Sequence, residues 1–419
     1  MRQHPWSLRM ERRAILKAGL VLGAAQLASP FIIKARGEEP VKIGLDDPLT
    51  GTYAALGKNE LIGCQYAVER INAMGGILGR KIEFLNEDST SGEVGTAVQM
   101  ARKLIERDKV DFLLGNVNSA MALAMGQVSN ELKTLHIVTG GHTDAVTGKA
   151  CHWNVFRVCD TTQMEANAVA ATLIKVAGKR WYYITPDYSF GHTLQASMEK
   201  AAAALGGSKV GGDLVPLQLT DFSAYLNKAQ AANPDVVIFL VQGEDMVNAL
   251  KQAVQFGLDK RFHLAGAQQE LEALEDLPPE ARIGTWVFEW YWRQPGVPHL
   301  DDFVAAIRKK TGKVPTARTW FGYVAAWTCA LVANQEKSLD AVKLAKALGD
   351  FRLPPEVALM PNNPYYRAGD HQLIPSLYVG HAQTKGDDPE DLFKVTDVVK
   401  GEQVAPSVAA TGCKLSWPS

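Results

Sequence analysis

From residue 41 onward the chain repeats one unit: a short apolar run, a polar or glycine-bearing loop, then a stretch of helix length. "VKIGLDD" leads to "NELIGCQYAVERINAMGG", "RKIEFLNED" to "VGTAVQMARKLIER", and "VDFLLG" to "SAMALAMGQVSNELK" before the apolar "LHIVTG". The rhythm restarts at "TQMEANAVAATLIKVAG" and runs through "RWYYITPD", "GHTLQASMEKAAAALG", "PDVVIFLVQ", "DMVNALKQAVQFG" and "RFHLAG". Such alternation builds parallel sheets covered by helices on both faces. Two blocks, in a chain of 419 residues, predict two similar lobes. In open α/β sheets, ligands bind beyond the carboxyl ends of the strands. Chemistry is therefore expected in "DDPLTGTYAALG", "NEDSTSGE", "GNVNSAM", "TGGHTDAVTG", "TPDYSFGH", "LVQGED" and "GAQQE". "GNVNSAM" empties a strand into a helix N-terminus, whose free N–H groups and dipole suit an anion.

The first 37 residues differ from the rest. They hold Arg2, Arg9, Arg12, Arg13, Lys17, Lys34 and Arg36 against Glu11 alone. Arg12-Arg13 precede an apolar stretch, Ala18 to Ala28, too short to span a bilayer. This is an export signal resembling the twin-arginine type; the alternative is an ordinary Sec signal with two chance arginines. Without it, 44 basic and 45 acidic residues become 37 and 44, and a mildly acidic chain argues against nucleic acid as a partner. A periplasmic protein is expected, in a compartment that permits disulfides. Cys151 and Cys159 flank "HWNVFRV", read as a strand, which holds them too far apart to bond. Cys413 is free to staple the tail to an upstream cysteine, and the sequence leaves open which.

The loops, in this order, resemble the type I periplasmic substrate-binding proteins of ABC importers, above all the branched-chain amino-acid-binding family. "IGLDDPLTGTYAALGKNELIGCQYAVERINAMGGILGRKIEF" carries most of the likeness. The resemblance implies an α/β fold of two Rossmann-like lobes joined by a three-crossing hinge. Lobe 1 would span 38–160 and 290–360, and lobe 2 would span 161–289 and 361–419. It implies a small-molecule ligand in the inter-lobe cleft, a membrane permease as partner, a monomer and no cofactor.

Residue by residue, Ser119 matches the family serine that binds a ligand carboxylate, with Asn118 beside it; a plain helix cap is the competing role. Thr143 matches a second carboxylate contact, and His142 adjoins it. Tyr53 lies in the first loop, and Tyr188 and Phe190 lie at the cleft from lobe 2. Gln242 stands where amino-acid binders commonly carry tyrosine. Gln268 stands where they place the glutamate that pairs with the ligand ammonium. An amide replaces a carboxylate poorly there; Glu270 and Asp245 are nearby acids, at unmatched steps. In "WVFEWYW", Trp286, Phe288 and Trp290 are expected on one face, with Trp290 at the pocket and core packing as the alternative. A site with a carboxylate end, no ammonium end and aromatic walls suits an aromatic acid. The short tail "YYRAGDHQ" also resembles family members associated with aromatic acids. The alternatives are a branched-chain amino acid, urea or a short amide, a sensor role, or an exported enzyme. Against catalysis, the sequence has no GxSxG elbow, no dinucleotide fingerprint in strand–helix context and no zinc spacing.

Overall fold

A computed structural model describes residues 39–418. The export-signal reading falls on residues outside that range. The elements are β1 (Val41–Asp47), α1 (Ala54–Ala73), β2 (Ile82–Asp88), α2 (Val94–Arg102), β3 (Phe112–Leu114), α3 (Ser119–Glu131), β4 (Leu135–Val138), β5 (Val155–Arg157), α4 (Thr162–Val176), β6 (Arg180–Pro186), α5 (Ser189–Ala204), β7 (Ser208–Val215), α6 (Ser223–Ala232), β8 (Val236–Phe239), α7 (Glu244–Gln255), β9 (His263–Ala265), α8 (Leu271–Asp276) and β10 (Thr285–Phe288). There follow α9 (Leu300–Thr311), α10 (Ala317–Glu336), α11 (Ala341–Leu348), the short pair β11 (Tyr365–Tyr366) and β12 (Leu373–Ile374), and the strands β13 (Ser376–Ala382) and β14 (Phe393–Lys400).

Two sheets result. The first has the order β2-β1-β3-β4-β5 and is parallel throughout. The second has the order β14-β13-β10-β9-β8-β6-β7, parallel from β10 to β7 and antiparallel at β13 and β14. β4 and β8 are buried at every position, as expected of strands covered on both faces. The fold is therefore two Rossmann-like α/β lobes. The chain passes between them after β5, after β10 and again before β13.

The helices start where side chains satisfy their free N–H groups. Asn118 accepts from Ala120 N and Met121 N at the head of α3, and Thr161 accepts from Met164 N at the head of α4. Thr316 and Thr319 cap α10 reciprocally. α1 and α10 cross at backbone contact. A Cβ on Gly63 would lie 1.9 Å from Thr319 O, and one on Gly322 would lie 2.0 Å from Glu60 O. Glycine is required at both positions for the two helices to approach this closely.

Two local expectations change. The segment read as a strand in "HWNVFRV" is extended only over Val155–Arg157. β10 stops at Phe288, so the alternation that would set Trp286, Phe288 and Trp290 on one face does not reach Trp290. Cys151 bonds to Cys413, closing a separation of 262 residues, while Cys64, Cys159 and Cys329 are buried thiols. Among the described residues, no helix is long and apolar enough to cross a membrane.

Candidate functional site

The loops beyond the strand ends of the two sheets meet face to face. Thr52 Oγ1 donates to Asp245 Oδ1 at 3.1 Å, and Glu244 N donates to Thr52 O at 3.2 Å. The Tyr53 and Tyr188 hydroxyls are 2.8 Å apart, and Thr193 Oγ1 donates to Thr143 Oγ1 at 3.3 Å. Gly243 allows the closest approach: its φ is +62°, and a Cβ there would lie 2.3 Å from Thr52 O. The lobes are thus closed on one another.

Most of the residues singled out from the sequence come together in this cleft. Ser119 heads α3 and is buried, and its Oγ accepts from Thr143 N at 3.1 Å. The Thr143 loop is held from behind by buried Arg157, which donates to Gly141 O at 2.9 Å, Thr143 O at 2.6 Å and Thr147 Oγ1 at 2.5 Å. Tyr53, Tyr188, Phe190 and His142 form a chain of rings, with centroids 6.5, 5.9 and 6.0 Å apart in that order. Gln242 Nε2 donates to Gln268 O at 3.3 Å, and its Oε1 is buried without a partner.

Two expected contacts have other duties. The Asn118 amide caps α3 and donates to Ser91 O at 3.0 Å, so it serves the backbone on both sides. The Trp290 ring donates to Leu359 O at 2.8 Å and packs edge-on against Phe303, which is hinge packing. The "DHQ" of the tail is also a brace: Gln372 accepts from Arg157 Nε at 2.7 Å and donates to Cys159 O, while His371 stacks on Phe156.

Beside Gln268 stand acids that the sequence did not place in the cleft. Gln268 Nε2 donates to Glu289 Oε1 at 2.7 Å, and Glu289 Oε1 is 2.5 Å from His142 Nε2. Asp160 and Glu165 lie alongside, 3.9 and 3.8 Å from the same nitrogen, both fully buried. Burial, followed by the Glu289 charge, holds the Asp160 and Glu165 carboxyls well above the usual carboxylate range. At Glu289 burial also pushes upward, but His142 and Arg318 outweigh it and bring the carboxyl down to about 2.

Glu270 and Asp245 are committed elsewhere. Arg318, at the start of α10, donates to Glu270 Oε1 through Nε at 2.9 Å and to Glu60 Oε1 through Nη1 at 3.1 Å. A Cβ on Gly140 would fall 2.1 Å from that Nη1, so glycine leaves the room for this pair. Asp245 accepts from Thr52 and from Gln218 N, and burial raises its carboxyl to about 6.

The sequence reading missed Asp160, Glu165, Glu289, Glu60 and Arg318. Two carried a signal: Glu289 is the lone acid in "WVFEWYW", and Arg318 is the lone charge in "ARTWFGYVAAW". Glu165 sits in a first helical turn, where an acid ordinarily serves the helix dipole.

Residues 40–387 match the model of a family described as periplasmic binding protein. A Leu/Ile/Val-binding protein homolog 4 of Brucella abortus (strain 2308) is 29% identical over 266 residues, which are 60% of this chain and 62% of that relative. The chain thus spans about three-fifths of the length of the curated relatives it matches first. Among solved structures, an amino acid ABC transporter substrate-binding protein from Pseudomonas fluorescens Pf-5 is 29% identical with a TM-score of 0.80, covering 90% of this chain and 99% of that one. A solute-binding protein of an R. palustris ABC transporter, in complex with benzoate, has a TM-score of 0.79 over 90% and 100% of the chains; at 22% identity it is a likeness of fold. With two closed α/β lobes and a family match over most of its length, the chain belongs to the periplasmic binding protein family.

Proposed function

We propose that the chain is the exported solute-capturing component of an ABC importer, closing its lobes over a small carboxylate-bearing ligand with a flat apolar body, an aromatic acid. The observation that carries this is the conjunction at the head of α3: the buried Ser119 hydroxyl, tied to the Thr143 N–H, and the Thr143 hydroxyl stand at the positive end of the helix beside the rings of Tyr53, Tyr188 and Phe190. The amide at Gln268 fits an acid without an ammonium group. A second reading, an amino acid, is favoured by the buried acids Asp160 and Glu165, which offer an ammonium group the partner that Gln268 does not. We place lobe 1 at 38–160 with 290–360 and lobe 2 at 161–289 with 361–419, and we expect periplasmic residence as a monomer beside a membrane permease. Ligand touching both lobes selects the closed form over an open one.

The test is a titration of refolded, ligand-stripped protein with benzoate, 4-hydroxybenzoate, a cinnamate, leucine, urea and acetamide, read by tryptophan fluorescence and melting temperature. A saturable response to an aromatic acid and none to leucine is expected. A response to leucine alone replaces the first reading with the second. Ser119→Ala with Thr143→Ala should weaken a carboxylate ligand about 10- to 100-fold for each charge-assisted hydrogen bond removed. Unchanged affinity would remove these two residues from the site.

A further inference from the structure

We propose that His142, Asp160, Glu165 and Glu289 form a binding site for a divalent first-row transition-metal cation inside the cleft. The side chains come from separate segments: the loop after β4, the crossing into α4 with its first turn, and the end of β10. One imidazole nitrogen and three carboxylate oxygens lie within 4.8 Å of one another, and all four residues are at most 3% exposed.

Proximity of acids alone would not make a site; the partners they lack do. No N–H or hydroxyl donor reaches either side-chain oxygen of Asp160 or of Glu165, which are buried and have only each other and Glu289, all acids, as hydrogen-bonding neighbours. A buried carboxyl left this way is costly unless a cation or donor meets it. The Arg318 guanidinium, whose charge acts on Glu165 and Glu289, is engaged by Glu270 and Glu60. Nε2 of His142 faces Glu289 Oε1 at 2.5 Å and Gln268 Nε2 at 3.1 Å, while the amide of Gln268 donates to Glu289 Oε1 at 2.7 Å and Glu270 Oε1 at 3.4 Å. A cation among these groups accepts the imidazole lone pair and the carboxylate oxygens together.

The donor set selects the class of metal. Imidazole with carboxylates suits zinc, manganese or ferrous iron, whereas magnesium and calcium take oxygen donors. The Cys159 thiol, which lies within the same span of His142 and Glu289, adds a soft donor on that side. The site shares His142 with the solute-capture reading and Asp160 and Glu165 with its amino-acid alternative, so cation binding is measured without solute and solute binding without cation.

The experiment uses the whole mature chain, refolded in chelator, made metal-free, and titrated with ZnCl2 and MnCl2 by calorimetry and thermal melting with no solute present. One equivalent should bind and raise the melting temperature. Asp160→Asn with Glu165→Gln keeps shape and removes two donors, so it should bind at least about 100-fold more weakly, beyond the loss seen when only an outer partner of a metal ligand is removed. Metal-free, that variant should melt no lower than the parent, since it loses two unpartnered buried acids. Should it fail to fold, His142→Gln provides the same test. No stoichiometric binding by the parent, or equal binding by the variants, overturns the site. Leucine binding to the metal-free parent, lost in the variants while neither cation binds, assigns the acids to an ammonium group and also overturns it. Cation binding with no response to any solute leaves the metal site standing and removes the solute reading.

Discussion

Arg318 is a buried cation joining the lobes, and replacing it tests whether the closed cleft depends on charge pairing. Its Nε and Nη2 hold Glu270 from the second lobe, and its Nη1 holds Glu60 on α1, with all three residues at most 2% exposed. Arg318→Met keeps the length of the stem and leaves two carboxylates buried without their cation. Breaking such a pair from one side is destabilising by about 3–5 kcal/mol. At about 2 °C per kcal/mol for a chain of this size, melting should fall by roughly 6–10 °C at pH 7.5. The loss comes from stranded charge, which gives two further outcomes. Glu60→Gln and Glu270→Gln added to Arg318→Met should restore most of the melting temperature. The deficit of the single variant should also shrink toward pH 5, because burial holds the Glu60 carboxyl above the usual range and, without its cation, it can then take up a proton. Differential scanning calorimetry of the three proteins at two pH values decides it. A single variant within about 2 °C of the parent, or a deficit indifferent to pH and to both added amides, would refute the argument.

Other outcomes follow from the same geometry. Tyr53→Phe removes the hydroxyl that meets Tyr188 across the cleft, so apparent ligand affinity should fall roughly fivefold, about 1 kcal/mol, and equal affinity would show that this contact does not bias closure. Asp245 has a folded pKa of about 6 against 3.8, so between those values the folded state holds the extra proton and its stability falls as pH rises. Asp245→Asn should flatten melting temperature against pH in that window, by up to about 3 kcal/mol, and an unchanged slope would assign the titration to other groups. Cys413→Ser opens the bond to Cys151 and should lower stability by about 2–4 kcal/mol under oxidising conditions, with no further loss on adding reductant; a variant as stable as the parent would make the staple idle.

The sequence exposed the architecture well and the site unevenly, for a physical reason. Strands and helices announce themselves through local periodicity, and the cleft loops follow from where strands end. Ser119, Thr143, Tyr53 and Tyr188 were therefore within reach. Asp160 and Glu165 gain their meaning only when the chain beyond β5 meets His142, and Glu289 only when the end of β10 joins them from 147 residues away. No spacing rule links them. Trp290 shows the opposite error: alternation was extended past Phe288, where the strand had stopped. Asn118 was ambiguous by nature, since the oxygen that can greet a ligand is the one a helix needs for its cap.

The contact at Gly243 makes that position a doorstop. Any side chain there must occupy the space of Thr52 O on the opposite lobe. Gly243→Trp would wedge the jaws apart while leaving the chemistry on either wall unaltered. Such a protein would be a reagent in its own right: a receptor held permanently agape, suited to asking whether a transport machine distinguishes a full receptor from an empty one by shape alone.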